Sequence, residues 1–443
     1  MLAVVLARSR SGKLPREGAE PVELCSDGIW PVTGFAKARC SQRSWRMTYT
    51  RLLVSVLVAV CAAPAWAHHR QTPPVIPFVT SGDTPLPRLA SQNARMFPLG
   101  VPSGGKTQIV IVFPFVDPTD QLQQGLPGNN ANPAVSGRGV EVVWDTADDP
   151  LGLGLPGRQL VMSQRGSLTV TPLTKDPTGT ASNPAVDRLG RNIAFESTGD
   201  LANTGNAGAR QIFVLQSGGS FQQMSSGVGT SRNPTVSGLR SLIAFESTSD
   251  PTTGADTGIS QIWLGNLLGV KPTRLTNGAA PSFNPALSDD GGLLAFESTA
   301  DLAGTGADTG VSQIFIYDPK SKNIARITND AGGCHLPGVS SVHKDFRVTF
   351  VCGGEPYFYM VAADLRFHVS VGGVTQRIVG EMGIHFVMVS STGNPLAGGT
   401  TPTNQVYLIN LFKRPAQQVP GLATWFPARG IPHNPRGCAP GVC

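Results

Sequence analysis

At 443 residues the chain is long enough for several domains, but only 14% of it is charged, and its 52 Gly and 36 Pro point to many short strands joined by tight turns. The formal charge of +6 is concentrated at the amino end. Residues 1–46 hold eight Lys or Arg against four Asp or Glu, Arg51 adds one more positive charge, and about +1 remains for the rest. A near-neutral chain without a basic run offers little for the phosphate contacts of nucleic-acid binding, so nucleic acid is not an expected partner.

Residues 1–46 have no periodicity and read as a mis-assigned or disordered extension. Met47 opens a more persuasive amino terminus, with Arg51, an apolar run from Leu52 to Ala63, and Ala65-Trp66-Ala67 before His68. That order is a secretory signal peptide over 47–67, and its apolar run is too short for a membrane span. Val60 precedes Cys61 where a lipoprotein signal would have a small residue. The expected address is therefore the periplasm or the exterior, with no stable membrane insertion after cleavage. Cys25, Cys40 and Cys61 precede the cleavage point, which leaves Cys334, Cys352, Cys438 and Cys443, an even number for an oxidising compartment.

After a linker over 68–75, the text from 76 to 419 repeats itself. NPAVDRLGRNIAFESTGD starts at Asn183, NPTVSGLRSLIAFESTSD at Asn233 and NPALSDDGGLLAFESTAD at Asn284, with a weaker copy at Asn132, so the starts lie 50 or 51 residues apart. In the Asn284 copy, Pro285 to Leu287 is an inner strand, Ser288 to Gly292 a turn, Leu293 to Ser298 a second strand, Gln313 to Tyr317 a third and Ala325 to Thr328 the outer one. QIFVL from Gln211 with FQQM from Phe221, and QIWLG from Gln261 with TRLT from Thr273, repeat that order. Four strands in fifty residues make one propeller blade, and radial stacking buries the two apolar faces that an isolated meander would leave wet. The expected fold is all-β, a single β-propeller of six or seven four-stranded blades. At the amino end, Ile76 to Asp83 (IPFVTSGD) reads as a second strand and QIVIV from Gln108 as a third. Leu336 to Val351 keeps the inner hairpin, and Tyr357 to Val361 with Thr375 to Val379 reads as the rest of that blade. Gln405 to Ile409 is the third strand of the last unit, and 420–443 is a flexible tail. Strands from the two ends sharing one blade would close the ring.

The text SxDGxxxAFxS, then QIFxYD, then RxTN, resembles the WD-type repeat of TolB-like β-propellers, well over residues 130–330 and weakly over 76–130 and 335–412. The resemblance implies an exported bacterial protein that binds a protein or cell-envelope partner without catalysis; the expected state is a monomer. The competing reading is a propeller hydrolase or lyase acting on a glycan or peptide, with Glu355, Asp364 or Glu381 as unrepeated acids.

Glu196, Glu246 and Glu297 recur directly after Phe195, Phe245 and Phe296. Three equivalent carboxylates at the repeat period suit a structural role, since catalysis singles out one asymmetric constellation. They are expected to accept hydrogen bonds from the adjoining loop or the neighbouring blade, through Ser197, Ser247 and Ser298. Asp250, Asp256, Asp301 and Asp308 stand in loops whose Gly254, Gly258, Gly306 and Gly310 permit positive φ. Calcium is the one cofactor considered for these loops; each supplies two acids only, and Asx turns account for the Asp-Thr-Gly text without it. His68, His69, His335, His343, His368, His385 and His433 form no HxxxH or HExxH pattern, and no GxSxG elbow is present. Catalytic residues and cofactors are accordingly expected to be absent. Cys334 and Cys352 stand nine positions either side of His343, so a turn centred there sets them opposite each other as a disulfide pair; Cys438 and Cys443 are a second candidate pair in the tail.

Overall fold

The computed structural model describes Val75–Phe78, residues 97–410 with interruptions, the longest at 113–121, and residues 417–418, all within the unit Thr72–Cys443. Residues 1–46, the expected signal peptide over 47–67, His68, His69, His343, His385, His433, Gly306, Asp308, Cys438 and Cys443 lie outside the described residues. Every described element is a strand, and the strands form seven antiparallel sheets that follow one another along the chain as the blades of a β-propeller.

Sheets 2 to 5 are the repeats, each an up-and-down meander. Sheet 2 comprises Asn129–Val135, Glu141–Ala147, Gln159–Gln164 and Val170–Pro172; sheet 3 comprises Ala181–Val186, Ile193–Ser197, Gln211–Leu215 and Phe221–Gln223. Sheet 4 runs Ser231–Val236, Leu242–Ser249, Asp256–Asn266 and Thr273–Arg274; sheet 5 runs Ser282–Leu287, Leu294–Ser298, Gln313–Asp318 and Asn323–Arg326. Their first strands pack on one another in succession. The turns joining strands 1 to 2 and 3 to 4 lie on one face, and the loops joining strands 2 to 3 and each sheet to the next lie on the other, called here the loop face.

Alternation along the second strand explains the seams between sheets. In Ile193–Ser197, Phe195 packs backward onto Val143 and Leu160 of sheet 2, whereas Ala194 packs forward with Val236 and Phe245 of sheet 4. Phe195, Phe245 and Phe296 are fully buried. Each such ring is worth about 1.5–3 kcal/mol of burial, so the repeated Phe is a seam residue by hydrophobicity alone.

Three strand assignments need correction, those of Val75–Phe78, of QIVIV from Gln108 and of Thr375–Val379. Val75–Phe78 is not a second strand of the first unit: it pairs with Thr400–Asn410 as the fourth strand of sheet 7, Ile76 opposite Leu408. A segment of alternating apolar residues at the chain start fits any open sheet edge, and this one joins the two ends of the propeller in one sheet. Sheet 1 instead consists of Phe97–Ser103, Lys106–Val112 and Leu122–Gln124, so QIVIV from Gln108 is the second of its described strands and not a third, because Phe97–Ser103 pairs ahead of it without the text of the repeat. Thr375–Val379 does not complete sheet 6, whose fourth strand is Leu365–His368; Thr375–Met382 opens sheet 7, followed by Phe386–Gly393. Sheet 6, which starts with Cys334–Val342, Asp345–Cys352 and Glu355–Met360, gains a fifth strand from Gln417–Gln418.

Cys334 and Cys352 are directly opposed in sheet 6 and form a disulfide, Cα to Cα 4.3 Å. In sheets 4 and 5 the same register position holds Ser231 with Ser247 and Ser282 with Ser298, each pair joined by a hydroxyl hydrogen bond of 2.9 Å. The covalent bond stands where the repeats have a hydrogen bond.

A polar cavity at the channel mouth

Every inner strand from sheet 2 to sheet 6 carries a bulge at an X-Pro step. Asn132, Asn183, Asn233 and Asn284 have φ of 47°, 54°, 55° and 51°, and Leu336 has 58°. A left-handed residue is uncommon outside glycine, Asn tolerates it best, and a following Pro favours extended backbone instead. Something must therefore hold this conformation, and the repeated carboxylates do so.

Glu297 is 1% exposed. Its Oε1 accepts the side-chain amide of Asn284 in its own sheet at 2.8 Å and the backbone N–H of Leu336 in the next sheet at 2.7 Å. Glu196 likewise accepts Asn183 Nδ2 and the backbone N–H of Asn233, the latter at 2.9 Å. Glu246 takes the backbone N–H of Asn284 at 2.7 Å. In sheet 2 the position is Asp145, which accepts Asn132 Nδ2 at 2.8 Å and the backbone N–H of Asn183 at 3.1 Å. Each carboxylate thus spans a seam between sheets at the bulge. The expected partners were different: Ser247 and Ser298 bond Ser231 and Ser282 across their own sheets, and Ser197 accepts the N–H of Gly199. They are too near the carboxylates in sequence to face them, since neighbours on a strand point to opposite faces.

In sheets 2, 3 and 5 the residue before the third-strand Gln completes the network, whereas in sheet 4 the equivalent Ser260 donates to Ser282 O. Arg158 pairs with Asp145, and Arg210 Nη1 donates to Glu196 Oε2 at 2.8 Å. The equivalent Ser312 donates to Glu297 Oε2 at 3.2 Å, with His335 Nδ1 3.1 Å from the same oxygen. Burial pushes the Asp145 carboxyl above its ordinary value, against the lowering effects of Arg158, Asn132 and the Asn183 N–H. The asparagines also bond one another, Asn183 Nδ2 to Asn233 Oδ1 at 3.3 Å and Asn233 Nδ2 to Asn284 Oδ1 at 3.1 Å, as a ladder across the inner strands.

Above this ladder, on the loop face, lies a polar cavity of about 420 Å³ lined by Asn132, Ser182, Asn183, Arg210, Arg232 and Glu246 among others. The surrounding loops are acidic and internally tied. Asp200 accepts the N–H groups of Thr204 and Gly205, and Asp250 accepts those of Thr252 and Thr253 with the Thr252 hydroxyl, contacts that hold both carboxyls below their usual range. Asp256 caps Gly258 in the same way, and Gly254, Gly258 and Gly310 take positive φ.

Two further repeated features went unread in the sequence. Gln159, Gln211 and Gln313 are buried at the start of their third strands, and Gln261 is buried in the middle of its longer one. Each side-chain oxygen accepts a hydroxyl from Thr174, Ser225, Thr276 or Thr328 at 2.6–2.8 Å. That hydroxyl in turn accepts the backbone N–H of the residue after the Gln. The signal was present in the QIF and RLT or RIT texts, where a polar pair recurs beside fully buried positions. The Asn of the NP step was the other, visible as the start of every copy.

The unrepeated acids are not gathered. Asp364 sits in the turn after Glu355–Met360 and accepts the buried Tyr359 hydroxyl at 2.7 Å, while burial and that bond raise the phenol pKa. Glu355, at the other end of the same strand, accepts the N–H of Val371 and lies 3.6 Å from His368 Nε2. Glu381 lies in Thr375–Met382, and its side chain is outside the described residues. Among the described residues no group of three or more His, Cys, Asp or Glu is placed to hold a metal, and no helix is long and apolar enough to cross a membrane.

No protein-family profile and no curated protein matches the chain. Solved structures do. An oligogalacturonate lyase from Vibrio parahaemolyticus is similar at TM-score 0.52 and 9% identity, over 76% of this chain and 96% of that one. The β-propeller domain of the Trilobed protease from Pyrococcus furiosus gives 0.50 and 9%, over 77% and 98%. A putative TolB from Agrobacterium tumefaciens gives 0.41 and 15%, over 57% and 83%. At such identity the first two likenesses establish the propeller fold alone, which hosts both binding modules and enzymes.

Proposed function

We propose that the mature chain is an exported, non-enzymatic β-propeller that receives a protein partner of the cell envelope at the channel mouth on its loop face. The observation that carries this reading is the state of the carboxylates below the cavity. Asp145, Glu196, Glu246 and Glu297 each accept hydrogen bonds across a seam, and a group so engaged is a poor general acid or base. What the mouth offers instead is a polar surface of asparagine amides and the exposed Arg232, ringed by well-tied loops, which suits recognition of a polar segment. The Cys334–Cys352 disulfide and the leader-like text over 47–67 support an oxidising, exported address.

The test is capture of the exported protein with its partners from its own envelope, beside an Arg232→Glu variant. The reading expects a discrete protein partner that the variant loses while its melting temperature is unchanged. Equal capture by both proteins would move the partner site off the mouth, and turnover of a glycan or peptide by the purified protein would replace the reading with the enzymatic one.

A further inference from the structure

The face opposite the mouth differs in chemistry. It is built from the turns between strands 1 and 2 and between strands 3 and 4, and in sheets 2 to 4 these carry Arg138, Arg188, Arg191, Arg240 and Lys271. All but the half-buried Arg188 are exposed. Two acids lie among them. Asp187 is buried and accepts the N–H groups of Leu189 and Arg191 and the Asn192 amide, and Glu141 is half-buried at the start of its strand. Asp289, 3.6 Å from Arg188, marks the edge of the sector where sheet 5 begins. On the loop face of the same sheets the connections carry Asp148, Asp149, Asp176, Asp200, Asp250 and Asp256 against Arg158, Lys175 and Arg210, so the balance there is acidic. Within these three sheets the turn side is therefore basic and the loop side acidic, although the chain as a whole is near neutral.

The basic turns form one surface. The Arg138 N–H donates to the Arg188 carbonyl at 3.1 Å, joining sheets 2 and 3. Gly238 of sheet 4 lies against Arg188, since a Cβ there would fall 2.5 Å from Arg188 Cβ, and its N–H donates to Asp289 O at 2.8 Å. Within sheet 4 the two turns are tied by the Leu267 N–H to Ser241 O at 2.7 Å, and Gln216 Nε2 reaches Leu267 O from sheet 3 at 3.3 Å. From this tied surface two leucines project: Leu239, 59% exposed beside Arg240, and Leu268, 78% exposed three residues before Lys271.

We propose that this face docks on an anionic lipid bilayer. Arginine and lysine side chains near a negatively charged bilayer are each worth about fivefold in affinity, and leucines projecting between them enter the interfacial region, where their burial adds to the attraction. An acidic protein or a soluble polyanion would use the charges but would gain little from two separate apolar tips, which is why a bilayer is the occupant that both features fit. Docked this way the propeller turns its acidic loop face and channel mouth away from the lipid, open to a partner. The proposal does not rest on the function proposed above, since lipid docking is read without any partner.

The purified mature protein should co-sediment with vesicles of phosphatidylglycerol and phosphatidylethanolamine and not with phosphatidylcholine vesicles, and the binding should weaken between about 50 and about 500 mM salt, over which the Debye length shortens about threefold. The triple variant Arg138→Glu, Arg240→Glu, Lys271→Glu should lose at least about a hundredfold in affinity. Leu239→Ser with Leu268→Ser should lower affinity and leave a remainder that high salt removes. Lys175→Glu, an exposed loop-face change, should bind as wild type. Circular dichroism melts of each variant separate loss of binding from loss of fold. Equal binding to both vesicle types, or a folded triple variant that binds as tightly as wild type, would overturn the proposal. So would tight binding to polyphosphate with none to the anionic vesicles, which would assign the face to a soluble polyanion.

Discussion

Replacing Glu297 with Gln tests whether the repeated carboxylates hold the sheets together. The side chain is buried and accepts four hydrogen bonds, from Asn284 Nδ2 at 2.8 Å and the Leu336 N–H at 2.7 Å on one oxygen, and from Ser312 Oγ at 3.2 Å and His335 Nδ1 at 3.1 Å on the other. An amide keeps one acceptor and turns two N–H donors toward existing donors. Leu336, at φ 58°, also loses part of what holds it in a conformation that a branched side chain resists. Breaking charged, buried hydrogen bonds of this kind costs about 2–3 kcal/mol. At about 2 °C per kcal/mol for a large domain, the melting temperature should drop by about 4–6 °C. Glu246 is only half-buried, so Glu246→Gln should cost about 1 kcal/mol and leave partner binding intact below the transition. Differential scanning calorimetry of the two variants settles the order. If Glu297→Gln melts within about 1 °C of wild type, or the Glu246 variant keeps its melting temperature and loses binding, the carboxylates belong to the functional site and not to the seams.

Removing the Cys334–Cys352 bond by a double change to Ser should cost about 3 kcal/mol in the chain-entropy argument, less whatever the Ser–Ser hydrogen bond of sheets 4 and 5 restores; an unchanged urea midpoint would contradict it. Gln261→Ala should destabilise by about 1–3 kcal/mol, because it strips the acceptor from Thr276 and the donor from Gly278 O in a buried site, and chemical denaturation reads it directly. Burial raises the folded-state pKa of Asp145 above 3.8, so the folded state holds the proton more tightly than the unfolded chain. The stability from this site is full below that value and is lost as pH climbs through the raised one; Asp145→Asn should flatten this part of the stability–pH curve. Mass spectrometry of native material should find an amino terminus near His68, and abundant peptides from Leu14 to Arg46 would refute cleavage there.

Sheets 2 to 5 were legible because each copy restates the same physical demands: Phe195, Phe245 and Phe296 for a seam, Gly at the turns, alternation along the strands. Register across the chain ends was not legible. Val75–Phe78 has the apolar text of a second strand, and its place as the edge of sheet 7 depends on Thr400–Asn410, more than three hundred residues away in sequence. Thr375–Val379 was misplaced because Leu365–His368, with Arg366 stacked 4.6 Å over Tyr357, lacks the repeat's text while filling its fourth-strand position. The recurrence of the Glu was legible but its partners were not, since the accepted N–H belongs to a residue 37–39 positions on whose backbone conformation the sequence does not spell out. The charge separation between the faces escaped notice for a similar reason: the arginines are scattered singly along the chain, and only the meander gathers their turns on one side.

The most direct test of the account places a photo-crosslinking side chain at Arg232, in the cavity wall, and in a second protein at Asn323, on the outer strand of sheet 5, and irradiates each in its own envelope. The account predicts a discrete protein adduct from position 232 and none from 323. An adduct at 323 with none at 232 would contradict it.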